Sequence, residues 1–191
     1  VRVLTSEDGG ETFEQLKERD KHSDNHAIVF RDDDPNYIMI GTDAGIYETF
    51  DLAETWKYHK NLPLTQFYKV AVNNAKPFYH IFGGTQDNGS AGGPSATDEI
   101  EGIANKHWYK TLFADGHQSA TDPVYNNIVY AETQQGGLYR IDLTSGEKVS
   151  IQPQASDGEP HERFNWDAPI LVSPHKPSSC LLYTSDAADE L

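Results

Sequence analysis

Short, mostly apolar runs alternate with clusters of turn residues along the whole chain. Turn residues such as Asp34-Pro35-Asn36 follow one run and precede the next, and runs of this length bounded by Pro, Asn and Gly are typical of β-strands. Four segments are predicted to be the first, innermost strands of successive units, at residues 27–30, 68–72, 118–121 and 169–172. Helical periodicity is confined to residues 12–20, so the pattern predicts an all-β fold.

An eight-residue pattern, the Asp-box, occurs twice. Residues 6–13 read Ser-x-Asp-x-Gly-x-Thr-aromatic at every specified position, and residues 49–56 repeat it with Thr for Ser and Ala for Gly. Asp8 and Asp51 lie 43 residues apart, which is the length of one four-stranded propeller blade. Asp, Ser and Thr side chains bond backbone amides across tight hairpins, so we predict a structural role for the motif. Its structural residues are Ser6, Asp8, Gly10, Thr12, Phe13, Asp51, Thr55 and Trp56.

The repeat predicts a partial, open β-propeller of four-stranded blades with Asp-box hairpins over residues 1–179, a fragment of a larger propeller. The predicted units are the end of a blade at about residues 1–23, three blades at about 24–64, 65–114 and 115–162, and the start of a further blade at 163–179. Residues 90–105 form the longest stretch without a strand pattern, which predicts a long loop.

The last twelve residues, Cys180 to Leu191, resemble the in-frame translation of a sequencing adapter. We therefore expect a non-native tail on a fragment derived from environmental sequence. Such a tail is expected to be disordered, or to pair only opportunistically through residues 181–183, which imitate the second strand of a blade.

Four further segments carry a family resemblance, at residues 61–68, 84–90, 142–147 and 164–171. With the Asp-box spacing they resemble the bacterial Asp-box (BNR-repeat) propeller proteins, which are called glycosyl-hydrolase-like and are similar to the sortilin-type propeller. The resemblance covers residues 1–179. It implies an extracytoplasmic parent protein (secreted, periplasmic or at the cell surface) whose partners are a carbohydrate or peptide ligand and the remaining blades.

Composition narrows the choice of partners. The chain has 30 Asp and Glu against 15 Lys and Arg, a net charge of −15, which repels phosphate backbones and anionic membranes, so nucleic acid is not an expected partner. No apolar stretch approaches the roughly 20 residues that span a bilayer, so membrane insertion is not expected. The single Cys180 excludes a disulfide framework and a thiolate zinc cluster, and no cofactor or metal is predicted.

Two carboxylates are the candidate catalytic pair. Asp87 and Asp115 lie in loops expected at the channel mouth, where one could act as general acid and the other as base in glycoside hydrolysis, with Asp24 or Asp43 as substitutes. The alternative interpretation is turn chemistry, because Asp87-Asn-Gly and Asp115-Gly are strong turn sequences.

Other polar and aromatic residues occupy the loops that lead into the innermost strands or join second to third strands. The candidate ligand-binding residues are His22, His26, Gln66, Gln86, Asn88, His117, Gln134, Trp166 and Asp167. The spacing of His22, Asp24 and His26 suits a metal site, but a loop in which Asp24 orients a histidine or caps backbone amides explains it with fewer assumptions.

The functional alternatives differ in ligand class. A sialidase would need converging arginines, and the four after the first strand do not align on the predicted ligand-facing loops. Neutral glycans require only carboxylates and aromatics, so glycan hydrolysis or recognition is predicted first, and an enzyme activity is left open. The alternative is a sortilin-like propeller that binds peptide or protein without catalysis.

Overall fold

The computed structural model describes residues 2–62 and 64–182. The chain divides into two compact units, Val1–Leu64 (unit 1) and Thr65–Leu191 (unit 2), and each is described by itself. Within the described residues there is no α-helix, only two 3₁₀ turns at Asn105–His107 and Gln134–Gly136. The same residues contain no helix long and apolar enough to cross a membrane.

Unit 1 consists of a two-stranded hairpin and a four-stranded antiparallel meander. Its strands are β1 (Leu4–Thr5), β2 (Glu14–Gln15), β3 (Asn25–Arg31), β4 (Asp34–Thr42), β5 (Gly45–Thr49) and β6 (Lys57–Tyr58). The register sets Ile28 opposite Ile40 and Ile40 opposite Tyr47. Ile38 and Ile40 are buried on β4, as the period-two alternation of a half-buried strand requires. They form a small core with Leu16 and Ala53, covered by Val3 and Trp56.

Unit 2 contains two complete meanders and a strand pair. Its strands are β7 (Phe67–Val72), β8 (His80–Thr85), β9 (Gly89–Pro94), β10 (Tyr109–Leu112), β11 (Ser119–Thr121), β12 (Ile128–Thr133), β13 (Gly137–Asp142), β14 (Lys148–Ser150), β15 (Ile170–Val172) and β16 (Cys180–Leu182). The sheet orders are β7 to β10, β11 to β14 and β15 to β16, each in chain order and antiparallel.

The first strands of the three sheets in unit 2 lie next to one another. β11 contacts both β7 and β15. Thr121 Oγ1 donates to the Val72 carbonyl at 2.9 Å, and Gln118 Nε2 donates to the Ile170 carbonyl at 2.9 Å. Apolar clusters fill the spaces between sheets: one contains Leu112, Ala131 and Ile141, and the other contains Ala120, Leu138, Ile170 and Val172. The prediction of an all-β fold, a partial and open propeller of four-stranded blades, is confirmed.

Both Asp-box sequences in unit 1 form hairpins closed by their own side chains. Asp8 Oδ1 accepts the Thr12 N–H at 2.9 Å, and Asp51 Oδ1 accepts the Thr55 N–H, also at 2.9 Å. The threonine hydroxyls donate to the second carboxylate oxygens at 2.5 and 2.7 Å. These bonds favour the ionised carboxylate, so the pKa of Asp8 is lowered, and that of Asp51 falls to about 2.

The two hairpins differ in how their aromatic residues pack. Trp56 packs against the unit 1 core, and its indole N–H donates to the Lys17 carbonyl at 2.8 Å. Phe13 is 61% exposed. The aromatic residue of the second Asp-box therefore contributes to the core of unit 1, whereas that of the first does not.

The long loop predicted at residues 90–105 begins later than expected, because β9 occupies Gly89–Pro94. This strand reads Gly-Ser-Ala-Gly-Gly-Pro and has no apolar signature. Its glycines make room for aromatic rings: a Cβ on Gly92 would meet the Phe82 ring at 2.7 Å, and one on Gly93 would meet Trp108 at 2.7 Å. The neighbouring strands thus supply the side chains that β9 lacks.

The predicted non-native tail begins as a strand. Cys180 to Leu182 form β16, with Cys180 opposite Val172 and Leu182 opposite Ile170. Leu182 packs against the cluster that contains Leu138. Residues 183–191, including Tyr183, lie outside the described residues.

Two glycines at matching blade positions provide a test of inter-blade packing. Gly41 and Gly84 each precede the last threonine of a second strand, but a Cβ on Gly84 would overlap the backbone of Gly116 and His117, whereas one on Gly41 would sit 3.7 Å from Ala27. We expect Gly84→Ala to lower the free energy of unfolding by about 2 kcal/mol or more, because backbone cannot give way as a side-chain tip can.

Gly41→Ala is the matched control and is expected to change the free energy by less than about 1 kcal/mol. Thermal and urea denaturation of both variants would measure the difference. Equal effects would contradict the proposed close packing at Gly84.

Candidate ligand-binding site

Side chains from three successive sheets of unit 2 meet at one end of their strands. We call this group the blade-end site; its members are Tyr68, Lys69, Gln86, His117, Glu132, Trp166 and Asp167. They come from the beginning of β7, the turn after β8, the segment before β11, the end of β12 and the segment before β15. The ends of neighbouring sheets are a usual place for ligand sites in proteins built from repeated blades.

A repeated turn shapes this end of the sheets. Thr85 Oγ1 donates to the Gly89 carbonyl at 2.6 Å, and Thr133 Oγ1 donates to the Gly137 carbonyl at 3.3 Å. The bonds close the connections from second to third strands, where Asp87 has a φ of 53°. Unit 1 has the same bond, from Thr42 Oγ1 to the Gly45 carbonyl. A threonine followed by a glycine three or four residues later therefore marks each of these turns in the sequence.

An aromatic stack forms the centre of the blade-end site. The Tyr68 and His117 rings are stacked, with centroids 4.9 Å apart and planes 16° apart. Trp166 meets His117 edge-on at 6.3 Å and 89°. His117 is 1% exposed, and neither of its ring nitrogens has a hydrogen-bond partner among the described residues, whereas Trp166 is 55% exposed. A buried imidazole therefore packs against an indole that faces solvent.

Charged groups lie beside the stack. Lys69 Nζ and Asp167 Oδ2 form an ion pair at 2.6 Å, and both side chains are partly exposed. Tyr68 donates its hydroxyl hydrogen to Gln86 Oε1. The site thus presents a cation, a carboxylate and an amide next to the exposed Trp166 ring.

Sequence analysis missed three members of the blade-end site, namely Tyr68, Lys69 and Glu132, and of these Glu132 is the buried one. Its side chain is fully buried, and Oε1 accepts the Ala168 N–H at 2.5 Å. The pKa of Glu132 is raised to about 7, chiefly by burial and also by the nearby negative charge of Asp167, while the hydrogen bond from the Ala168 N–H and the charge of Lys69 oppose the rise. A sequence signal existed: Glu132 is the second-last residue of β12 and follows Ile-Val-Tyr-Ala, a run without charged residues.

The candidate catalytic pair is brought together, but through the backbone of one member. Asp115 is 6% exposed, and its Oδ1 accepts the Asp87 N–H at 2.8 Å. Asp87 is exposed at the tip of its turn. Asp115 therefore fixes the turn that carries Gln86 and Asn88. The acid and base roles of the two carboxylates stay a prediction.

The remaining candidates of unit 2 surround the same end of the sheets. The Gln86 N–H donates to the Gln66 carbonyl at 3.1 Å, and Asn88 Nδ2 donates to the Gln86 carbonyl at 2.9 Å. Gln134 lies in the equivalent turn after β12, next to Gln135, whose N–H donates to the Trp166 carbonyl at 3.2 Å. Their backbone contacts support the turns on which the blade-end site is built.

The candidates in unit 1 form a separate group. The Asp24 N–H donates to His22 Nδ1 at 3.3 Å, and the Asp43 N–H donates to the Asp24 carbonyl at 3.2 Å. His26 Nε2 contacts the Asp43 carboxylate. In the part of the chain that the structure describes, no three His, Cys, Asp or Glu side chains are placed to hold a metal ion.

The comparisons with known proteins add little to this geometry. No protein-family model matches the chain. No curated protein matches it either. A solved structure described as YCF48 bound to D1 peptide aligns over 97% of this chain and 73% of that chain, at 14% identity and a TM-score of 0.29. A match at that TM-score carries no argument, so the propeller description rests on the strand order of the sheets.

Burial of Glu132 predicts a pH dependence of stability. A carboxyl group whose pKa rises from 4.5 to about 7 on folding binds its proton more tightly in the folded state. This proton binding contributes as much as about 3 kcal/mol to the free energy of unfolding. The contribution is fully present below about pH 4.5 and is lost as the pH rises through about 7.

We expect the free energy of unfolding of the wild type to fall between pH 5 and pH 8 relative to that of Glu132→Gln, because the glutamine side chain at position 132 does not titrate. Urea denaturation at several pH values would measure the two curves. Parallel curves would show that Glu132 is not buried as described.

Proposed function

We propose that this chain is part of an extracytoplasmic propeller that recognises neutral glycans at the blade-end site. The observation that carries the proposal is the exposed Trp166 indole, held edge-on against the buried His117 ring. A flat apolar surface beside polar groups suits a sugar ring, which has apolar C–H faces and a rim of hydroxyls.

The polar neighbours of Trp166 support the same ligand class. Sugar hydroxyls both donate and accept hydrogen bonds, and the Asp167 carboxylate, the Lys69 ammonium and the Gln86 amide offer both kinds of partner. Lys69 and Asp167 neutralise each other, so the local pair has no net charge to attract an ionic ligand. The net charge of −15 disfavours acidic polysaccharides as ligands.

Recognition is better supported than hydrolysis. Glycoside hydrolysis needs two carboxyl groups that reach opposite sides of one bond. Asp115 is buried and engaged with the Asp87 backbone, and Glu132 is buried beneath Ala168. Neither of these two carboxyl groups is placed to touch a bound sugar, so Asp87 is the one exposed carboxyl group of the candidate pair. We therefore expect binding without turnover.

The proposal predicts that Trp166→Ala weakens binding of a β-glucan oligosaccharide by about fivefold to tenfold, the value of one good aromatic contact. Isothermal titration calorimetry with cello- and xyloglucan-oligosaccharides would measure it. Tyr125→Ala is the matched control, because Tyr125 is also an exposed aromatic of unit 2, at 63%, but lies before β12 at the opposite strand ends.

Three outcomes would revise the proposal. Equal losses in both variants would move the binding surface away from Trp166. Release of reducing sugar by the wild type, abolished in Asp115→Asn, would restore the hydrolytic alternative. No glycan binding together with saturable binding of peptides would favour the peptide-binding alternative.

A further inference from the structure

Glu132 is a buried member of the blade-end site and contacts the segment that carries the exposed residues of the site. Ala168 follows Trp166 and Asp167 directly, and its N–H, buried with a residue exposure of 1%, donates to Glu132 Oε1 at 2.5 Å. This bond joins a β12 side chain to the segment before β15. Together with the Gln135 N–H, which donates to the Trp166 carbonyl at 3.2 Å, it holds Trp166 and Asp167 against the sheet of β11 to β14.

Two oxygen atoms near this link have no hydrogen-bond partner among the described residues: Glu132 Oε2 and Asp167 Oδ1, both buried. They belong to carboxyl groups close enough for the charge of one to affect the other. Two ionised carboxylates would repel each other there. A protonated Glu132 instead presents an O–H donor, and Asp167, whose Oδ2 is paired with Lys69 Nζ at 2.6 Å, presents Oδ1 as an acceptor.

We propose that Glu132 is a positioning residue for the blade-end site, and that its protonated carboxyl group holds the Trp166–Ala168 segment in place by accepting the Ala168 N–H and donating toward Asp167. The ligand in this inference rests on the proposed function, whereas the positioning of the Trp166–Ala168 segment by Glu132 does not. Loss of the proton removes the donor and adds a repulsive charge, so the segment loosens.

Among the described residues, the titratable groups near Glu132 are Lys69 from β7, Asp167 from the segment before β15, and His117, whose backbone N–H donates to the Glu132 carbonyl at 3.1 Å. Leu138 is the residue opposite on β13 and carries no charge. His117 also contacts Trp166, so it is the group that an experiment must separate from Glu132.

The experiment follows the fluorescence of Trp166, taken as the difference between the full chain and its Trp166→Phe variant, from pH 5 to pH 9. We expect one transition with a midpoint near pH 7. Glu132→Gln keeps an acceptor for Ala168 and a donor for Asp167 at every pH, so it should show the acidic signal throughout. Glu132→Leu keeps neither and should show the loosened signal throughout.

His117→Phe is the control for the second titratable group, because phenylalanine keeps the ring contacts without a titrating nitrogen. The transition should persist in this variant. A transition that survives in Glu132→Gln, or that disappears in His117→Phe, would overturn the proposal. If Glu132 had only a structural role, Glu132→Leu would be less stable than the wild type, but the Trp166 fluorescence of Glu132→Gln and Glu132→Leu would not differ.

A glycan arm tests the consequence for binding. The affinity of the wild type for a β-1,4-glucan hexasaccharide should fall by at least about fivefold from pH 6 to pH 8, the low end of typical coupling between sites. Glu132→Gln should bind equally at both pH values. If no variant binds the hexasaccharide while the fluorescence transition still depends on Glu132, the proposed function is wrong and the positioning role stands.

Discussion

Unit 2 depends on a close contact between one sheet and the backbone that enters the next. Gly84, near the end of β8, leaves room for the peptide between Gly116 and His117, and any side chain there would overlap it. The Gly116 N–H also donates to the Thr85 carbonyl at 3.3 Å. The contact holds the segment before β11 in one position. That position brings His117 under Tyr68 and Asp115 under the turn at Asp87.

The same contact explains why polar residues are buried at this end of the sheets. Backbone packed against backbone leaves little room for apolar side chains, so the space is filled by small or hydrogen-bonding groups such as Ser90 and Asp115. A buried carboxylate is tolerated when it accepts a backbone N–H that would otherwise lack a partner. Asp115 does this for Asp87. Structural and ligand-facing side chains therefore lie side by side here.

The parts of the fold that were predictable are those set by local chemistry. The repeated Asp-box gave the blade spacing because its hydrogen bonds join residues within eight positions of one another. The second copy keeps these bonds although Leu52 and Ala53 adopt positive φ values of 52° and 69°, where the first copy has Gly9 and Gly10. The side-chain bonds of Asp and Thr thus define the turn more strongly than glycine does.

The parts that were missed depend on contacts between segments distant in sequence. β9 contains no apolar pattern because rings from β8 and from Trp108 and Tyr109 cover its glycines. Glu132 resembled an ordinary strand residue because its partner, Ala168, comes 36 residues later. The sequence predicted that the candidate ligand residues lie in loops. It did not predict which of them lie near Trp166, because that depends on how three sheets pack together.

The burial of Glu132 has a physical reason in the backbone that it meets. Replacing it by an apolar residue would fill the space but leave the buried Ala168 N–H without an acceptor, which costs about 1–3 kcal/mol. Keeping it ionised would place a fully buried charge beside Asp167. A neutral carboxyl group avoids both penalties, because it accepts one hydrogen bond and can donate another. The segment that presents Trp166 to solvent is thereby held by a group whose charge state, rather than its size, determines the strength of the attachment.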